Sequence, residues 1–292
     1  MTSASPEANL SSKRVPAEPG NGALLGLIAG QGKLPGILAR NAKEKGYKIV
    51  ALCLSEEAQA RVGPHAHKTF LVFPGQLGRS LKLLQKELVD QVVFVGKIPK
   101  LEILRNLTKL DWTAVRELSK LPDFNDDTIQ RGMSDFAASQ GVRVRTQAEF
   151  LTELFPDVGI LTKRRPTASE YADIQFGLRV AKEIAKLDIG QTVIVANQII
   201  MAIEAAEGTD RAIQRAVELA RGPVVVCKVA KPGQDQRFDI PALGLNTLQS
   251  MVAPKPGGVL ALEANETLVV EMAEMIAFCN ENDMTMVSVK AD

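Results

Sequence analysis

The stretch from Leu24 to Leu54 constrains the fold more than any other part of the chain. Leu24-Leu-Gly-Leu-Ile-Ala29 is a short apolar run, broken by Gly30-Gln-Gly-Lys-Leu-Pro35, after which Ile37, Leu38 and Ala42 recur at helical spacing. A second apolar run, Tyr47 to Leu54, follows Gly46. Strand, glycine turn, helix and strand make a unit whose two strands lie parallel with a right-handed crossover. Further strand signals at Lys68 to Val72 and Gln91 to Val95 flank an amphipathic helix around Ser80 to Val89, and this alternation predicts an α/β fold with a Rossmann-like parallel sheet.

From Leu101 to Gln140 the periodicity is helical, with breaks near Asp111 and Leu121-Pro-Asp123, and Val142-Arg-Val144 adds a strand candidate. The segment Phe155 to Pro166 combines a turn, the basic run Lys163-Arg-Arg165 and a proline near each end, which suits a connector. At 292 residues the chain is long enough for two domains. The expected division is a disordered tail over 1–22, a Rossmann-like N-terminal domain over 23–155, a short linker over 156–166 and a C-terminal α/β catalytic domain over 167–292. That second domain reads as a helix from a Ser169 cap to Lys186, then strands at Thr192 to Val195 and Ile199 to Ile203. A helix near Asp210 to Leu219 leads to a strand at Pro223 to Val229, and a helix spans Leu245 to Met251. Strands at Val259 to Leu262 and Thr267 to Val270, a helix at Glu271 to Asn280 and a strand at Met284 to Val289 complete it.

Composition removes several functional classes. Lys and Arg number 35 against 34 Asp and Glu, and aromatics are 4%, so composition shows neither an overall basic footprint nor stacking platforms for nucleic acid and leaves only a local basic groove open. Cys53, Cys227 and Cys279 are isolated and form no CxxC pair, which argues against a disulfide framework or a zinc site. His65 and His67 lie beside each other on a Gly-Pro loop and read as solvated. The most apolar stretch, Thr192 to Ala206, is interrupted by Asn197, Gln198 and Glu204, short of the roughly 20 apolar residues that cross a bilayer. A cytoplasmic location is expected.

Five places carry residues suited to chemistry. The turn Gly26-x-x-x-Gly30-x-Gly32, followed by Lys33, lets backbone amides approach an anion at a helix N-terminus. As a dinucleotide fingerprint it fails, because Pro35 stands where a third glycine belongs and Glu56 is displaced from the ribose position. Gly96-Lys97 follows a strand at the end where ligands collect in parallel sheets, so Lys97 is either a phosphate contact or an exposed loop lysine. Asn125-Asp-Asp127 is equally a cap. Glu207-Gly-Thr-Asp210 and Lys231-Pro-Gly-Gln-Asp-Gln-Arg-Phe-Asp-Ile-Pro241 follow strands and concentrate carboxylates and cations in loops. Divalent cations take one or two carboxylates plus phosphate oxygens, and phosphoryl transfer needs positive charge, so Asp235, Asp239, Glu207 and Asp210 with Lys231 and Arg237 fit that chemistry. Read from spacing alone, Asp210 can instead cap its helix and the longer loop can be a solvated turn.

Gly26-Leu-Ile-Ala-Gly-Gln-Gly-Lys-Leu-Pro35, Leu187-Asp-Ile-Gly-Gln191, Glu204-Ala-Ala-Glu-Gly-Thr-Asp210 and Lys231 to Pro241 together resemble the LpxI family of UDP-2,3-diacylglucosamine pyrophosphatases. The resemblance covers nearly everything after Ala23. It implies a two-domain enzyme of lipid A biosynthesis that releases UMP and 2,3-diacylglucosamine 1-phosphate by water attack on the α-phosphorus, assisted by Mg²⁺ or another divalent cation. The family's catalytic aspartate lies in an Arg-x-Asp-x-Pro segment, matched by Arg237-Phe-Asp-Ile-Pro241, which makes Asp239 the leading catalytic carboxylate or metal ligand and Asp235 the reserve. Lys231 and Arg237 would offset pyrophosphate charge and Gln234 would supply amide contacts. Gly30, Gly32, Lys33, Lys97 and Thr209 complete the substrate-binding set, and Glu207 and Asp210 join Asp239 as metal ligands. The resemblance also implies a homodimer, and the lipid substrate implies peripheral contact with the inner membrane. Gln31 interrupts the family's glycines, and Ala242 stands where the family often has Thr. Two other classes stay open: an NAD(P)-dependent Rossmann oxidoreductase and a non-catalytic nucleotide-sugar or lipid-binding protein.

Overall fold

A computed structural model describes residues 18–97, 107–122, 126–220, 222–238, 240–252 and 257–290, with only the backbone described at 107, 126 and 127. The chain divides after Thr152 into two compact units. Most of the expected tail, Asn125 and the start of the Leu101 to Gln140 stretch lie outside the described residues.

The N-terminal unit runs Leu24–Ala29 (β1), Leu34–Glu44 (α1), Lys48–Cys53 (β2), Glu56–Val62 (α2), Lys68–Leu71 (β3), Leu77–Lys86 (α3), Gln91–Val95 (β4), Trp112–Leu118 (α4), Asp126–Ser139 (α5) and Arg143–Arg145 (β5). Its sheet has the order β3-β2-β1-β4-β5 and is parallel throughout. The expected parallel sheet is present. Strands β1, β2 and β4 are buried because they are almost continuously apolar, as a sheet covered on both faces requires. The order reverses between β1 and β4, so their carboxyl ends part at a topological switch point, where ligands settle in folds of this kind.

Local chemistry sets the helix ends. Pro35 opens α1, where a missing N–H is harmless, and Gly46 leaves it at φ +86°. Ser55 Oγ accepts from the Ala58 amide at 3.1 Å and starts α2, a helix that the apolar periodicity did not announce. Asp111 acts on two helices. One carboxylate oxygen accepts from the Ala114 amide at 2.9 Å to cap α4, and the other accepts from Gly78 at 2.7 Å and Arg79 at 3.1 Å in the first turn of α3. That remote acceptor explains why α3 begins at Leu77 rather than at the expected Ser80.

The C-terminal unit contains Gly159–Ile160 (β6), Ala168–Lys186 (α6), Thr192–Ala196 (β7), Ile199–Ile203 (β8), Thr209–Ala220 (α7), Val225–Lys228 (β9), Ala242–Leu243 (β10), Leu245–Val252 (α8), Val259–Glu263 (β11), Leu268–Val269 (β12), Met272–Glu281 (α9) and Thr285–Val289 (β13). A mixed sheet has the order β6-β13-β11-β9-β7-β8, and β10 pairs separately with β12. Strands β9, β11 and β13 are parallel, whereas β6 and β7 run against their neighbours. The segment expected as a connector therefore contributes β6 to this sheet. Strand alternation feeds two cores: Val193 and Val195 pack with Ile174, Leu178 and Ala181 of α6, while Ile194 packs with Ile213 of α7, Leu248 of α8 and Met275 of α9. The β7–β8 hairpin turns through Asn197 and Gln198, both with positive φ, and the Asp173 carboxylate accepts from both turn amides at 3.0 and 2.6 Å. Among the described residues no helix is long and apolar enough to cross a membrane.

Candidate functional site

The switch point of the N-terminal unit gathers Gly30, Gly32, Lys33 and Lys97. Gln31 and Lys97 form an antiparallel bridge, with Gln31 N donating to Lys97 O at 2.9 Å and Lys97 N to Gln31 O at 3.0 Å. Gly30 N donates to Val95 O at 2.8 Å. The amides of Gly30 and Gln31 are thus spent on joining the two loops. Gly30 is glycine because of that join, since a Cβ there would lie 2.5 Å from Lys97 O. Gly32 takes φ +99° and leads into Lys33, the N-cap of α1, which no side chain caps. The first amides of α1, at Leu34 and Gly36, belong to the turn that a helix leaves without intrahelical partners.

In the C-terminal unit the loop 231–241 leaves β9 at its carboxyl end. Its base is clamped by buried Glu263 and half-buried Lys182: Glu263 Oε2 accepts from Ala230 N at 2.8 Å, and Lys182 Nζ donates both to Ala230 O at 3.2 Å and to the other Glu263 oxygen. Gln234 Oε1 accepts from Lys231 N at 2.9 Å, and Lys231 Nζ pairs with Asp188. Asp235 accepts from Arg237 Nε at 2.9 Å and from its terminal nitrogen at 2.6 Å, and also from the Arg237 amide at 3.0 Å. Two cations are therefore held within this loop by carboxylates, and the Arg237 guanidinium lies 5.5 Å from the centre of the Phe238 ring. Asp239 lies outside the described residues.

The segment Glu204 to Asp210 sits beside that loop's origin and contains a buried charge cluster. Lys228, 5% exposed at the end of β9, donates to Thr192 Oγ1 and Thr209 Oγ1 at 2.9 Å each and lies 3.4 Å from Glu204 Oε2. Thr209 donates in turn to Glu204 Oε1 at 2.6 Å. Burial pushes the Glu204 carboxyl up, but the Lys228 ammonium and the Thr192 and Thr209 hydroxyls outweigh it and hold the group below the usual carboxylate range. Thr209 is thus part of a structural ion-pair network. Glu207 pairs with Arg215 at 2.7 Å, and Asp210 Oδ1 accepts from Thr247 Oγ1 at 3.1 Å. Backbone amides and Arg215 lower the Glu207 pKa.

No group of three or more His, Cys, Asp or Glu side chains that could hold a metal ion is assembled among the described residues. Glu207, Asp210 and Asp235 each have a partner within the chain, so none of them stands ready as part of a preformed carboxylate cage.

Lys182, Thr192, Lys228 and Glu263 were not singled out from the sequence. Lys228 carried a signal, being the one charge inside the apolar strand 223–229. Glu263 and Lys182 carried none, because their partnership spans 81 residues.

Comparison with known proteins agrees with this two-part organisation. The LpxI N-terminal domain model matches residues 24–154 and the LpxI C-terminal domain model matches residues 157–287. UDP-2,3-diacylglucosamine pyrophosphatase LpxI of Caulobacter vibrioides is 30% identical over 275 residues, covering 88% of this chain and 94% of that protein. A bifunctional purine biosynthesis protein PurH of Rhizobium meliloti is 29% identical over 169 residues, 53% of this chain but 28% of its own. A crystal structure of N5-carboxyaminoimidazole synthetase from Staphylococcus aureus with ADP has 16% identity over 68% of this chain and 35% of that one, at a TM-score of 0.27, too low to bear on the fold. With both family domains matched in order and one relative covered almost end to end, this chain belongs to the LpxI family.

Proposed function

We propose that this chain hydrolyses the pyrophosphate of UDP-2,3-diacylglucosamine, giving UMP and 2,3-diacylglucosamine 1-phosphate for lipid A biosynthesis. The observation that carries this reading is the match, over 94% of its length, to a UDP-2,3-diacylglucosamine pyrophosphatase. The loop geometry supports it, since Arg237 braced by Asp235 and Lys231 tethered by Asp188 bring ordered cations to one loop, as a pyrophosphate requires.

In this reading a water oxygen bonds to the α-phosphorus as the bond from that phosphorus to the bridging oxygen breaks. The new oxygen leaves in UMP and the bridging oxygen leaves in the lipid phosphate. Asp239 takes the water proton or holds the metal, and Asp235 keeps the Arg237 guanidinium turned to the developing charge. Gln234 fixes the start of the loop through the Lys231 amide. Asp239, Glu207 and Asp210 would hold Mg²⁺ or another divalent cation, which would supply Lewis-acid charge. Gly32, Lys33 and Lys97 would meet an anionic part of the substrate. The same reading places the protein in the cytoplasm, in peripheral contact with the inner membrane, and as a homodimer.

The test is turnover of UDP-2,3-diacylglucosamine with Mg²⁺ in ¹⁸O-water, beside Asp239→Ala and a chelator control, with both products weighed by mass spectrometry. Label in UMP, lost with Asp239→Ala, is expected. Label in the lipid phosphate would overturn the site of attack, and release of no UMP by the wild-type protein would overturn the reaction.

A further inference from the structure

Strand β9 leaves both of its neighbours at Lys228, the last residue paired with β7, at Thr192, and with β11, at Leu262. Two positions further on, Ala230 is 2% exposed, so its amide and carbonyl need partners although they lie past the end of both ladders. Side chains supply them. Glu263 of β11 accepts from Ala230 N at 2.8 Å, and Lys182 of α6 donates to Ala230 O at 3.2 Å and to the second Glu263 oxygen. The pair therefore joins three elements, α6, β11 and the end of β9, at one backbone position.

The end of β11 and the turn after it follow the loop along its length. Glu263 meets Ala230, Glu266 accepts from Gln236 Nε2 at 3.3 Å, and Leu268 N donates to Pro241 O at 2.7 Å. Inside the loop, Gln234 N donates to Lys231 O at 3.1 Å and Phe238 N to Asp235 O at 3.2 Å, while Asp235 holds Arg237 through two guanidinium nitrogens. A loop braced internally in this way moves with the residue it starts from. The position of Ala230 thus sets the positions of Lys231 and Arg237.

We infer that Lys182 and Glu263 are positioning residues for the hydrolysis, acting through Ala230 to set where Lys231 and Arg237 stand against the pyrophosphate. The reaction in this inference rests on the proposed function, whereas the clamp rests on the hydrogen bonds at Ala230. Neither side chain has to touch the substrate. A largely buried ion pair is a weak source of stability, and apolar residues of similar size often replace both partners without harm to the fold. A small displacement of a charged group, by contrast, lowers a reaction rate steeply. The clamp should therefore be felt in kcat more than in folding.

Three variants of the full-length protein separate positioning from stability. Lys182→Met leaves the Glu263 carboxylate alone, Lys182→Met/Glu263→Met leaves neither charge, and Lys182→Arg keeps a cationic donor on α6. Thermal unfolding should come earlier in Lys182→Met and be partly restored in the double variant, which has no uncompensated carboxylate. For UDP-2,3-diacylglucosamine, kcat should fall about tenfold to a hundredfold in both, with KM changed less than about threefold, and Lys182→Arg should recover most of it. Hydrogen exchange should quicken in peptides covering 231–238 of the double variant and stay as in wild type in α6 and β11. A kcat that recovers in step with stability in the double variant, or exchange in 231–238 that does not quicken, overturns the inference. If the wild-type protein releases no UMP, the reaction falls and exchange alone decides the clamp: quickening confined to 231–238 upholds it, and unchanged exchange ends it.

Discussion

Replacing Asp111 tests whether one carboxylate organises the starts of both α3 and α4. Asp111 accepts three backbone amides from two helices: Ala114 of α4, and Gly78 and Arg79 of α3. A lost N-cap costs about 1 kcal/mol, and a lost negative charge at a helix N-terminus adds about 0.3–1 kcal/mol at each end. Asp111→Ala should therefore destabilise the unit by about 2–3 kcal/mol. Asp111→Asn keeps one carbonyl oxygen, enough for one helix, and should cost about half as much. Ser55→Ala, which removes the single cap of α2, is the internal standard at about 1 kcal/mol. Hydrogen-exchange mass spectrometry along a urea series reads peptides of this unit separately from those of the other, so the loss is assigned to α3 and α4 directly. The shared-cap argument fails if Asp111→Ala costs no more than Ser55→Ala, or if the Asn and Ala variants are equally damaged with exchange rising in only one of the two helices.

Three further outcomes follow from the same geometry. Lys228→Met should destabilise the C-terminal unit by about 3 kcal/mol by leaving Glu204 beside an uncompensated buried site, and adding Glu204→Gln should recover part of the loss in a double-mutant cycle followed by calorimetry. Because the folded pKa of Glu204 lies below its unfolded value of about 4.3, its stabilisation is present above that pH and fades as pH falls through the depressed folded value. The stability gap between wild type and Glu204→Gln should accordingly be constant above about pH 5 and shrink in acid unfolding below it. Gly30→Ala, whose Cβ would meet Lys97 O at 2.5 Å, should cost about 2 kcal/mol in urea unfolding by breaking the paired Gln31–Lys97 bridge, whereas an alanine at Gly36, 3.2 Å from the Arg61 carbonyl, should cost less.

Most of the fold was legible because its elements obey local rules. The apolar runs at β1, β2 and β4 and the glycine turn between β1 and α1 announced a parallel sheet before any contact was known, and the alternation of the second half located nearly every strand of the mixed sheet. What failed to show were features fixed from a distance. The register of α3 depends on Asp111, more than thirty positions away, and β10 is too short to carry a period at all. The segment 156–166 has the composition of a connector, yet Ile160 pairs with Val287 because an edge of the sheet was available there, and composition does not report a vacant edge.

The candidate site divides along the same line. Sequence spacing identifies which loops carry charge, but a charge acts through its partner, and partners here come from other elements. Asp235 and Arg237 were both visible, and their alternation in the loop even puts them within reach, yet only the bidentate contact distinguishes a braced guanidinium from a solvated one. Thr209 was visible as a motif residue, while the structure gives its hydroxyl to Lys228 and Glu204. The buried cluster stands between β7, β9 and the first turn of α7, so it fixes where the Glu204 to Asp210 segment begins relative to the end of β9. The Lys182 and Glu263 clamp fixes Ala230, immediately before the loop itself. Burying ionic groups at both points is a costly way to stabilise a fold, since well-packed apolar residues would often serve as well. Its use at the origins of both motif segments fits position better than stability: a charged network accepts only one arrangement of its members, so the start of each segment is held in one relation to the end of β9.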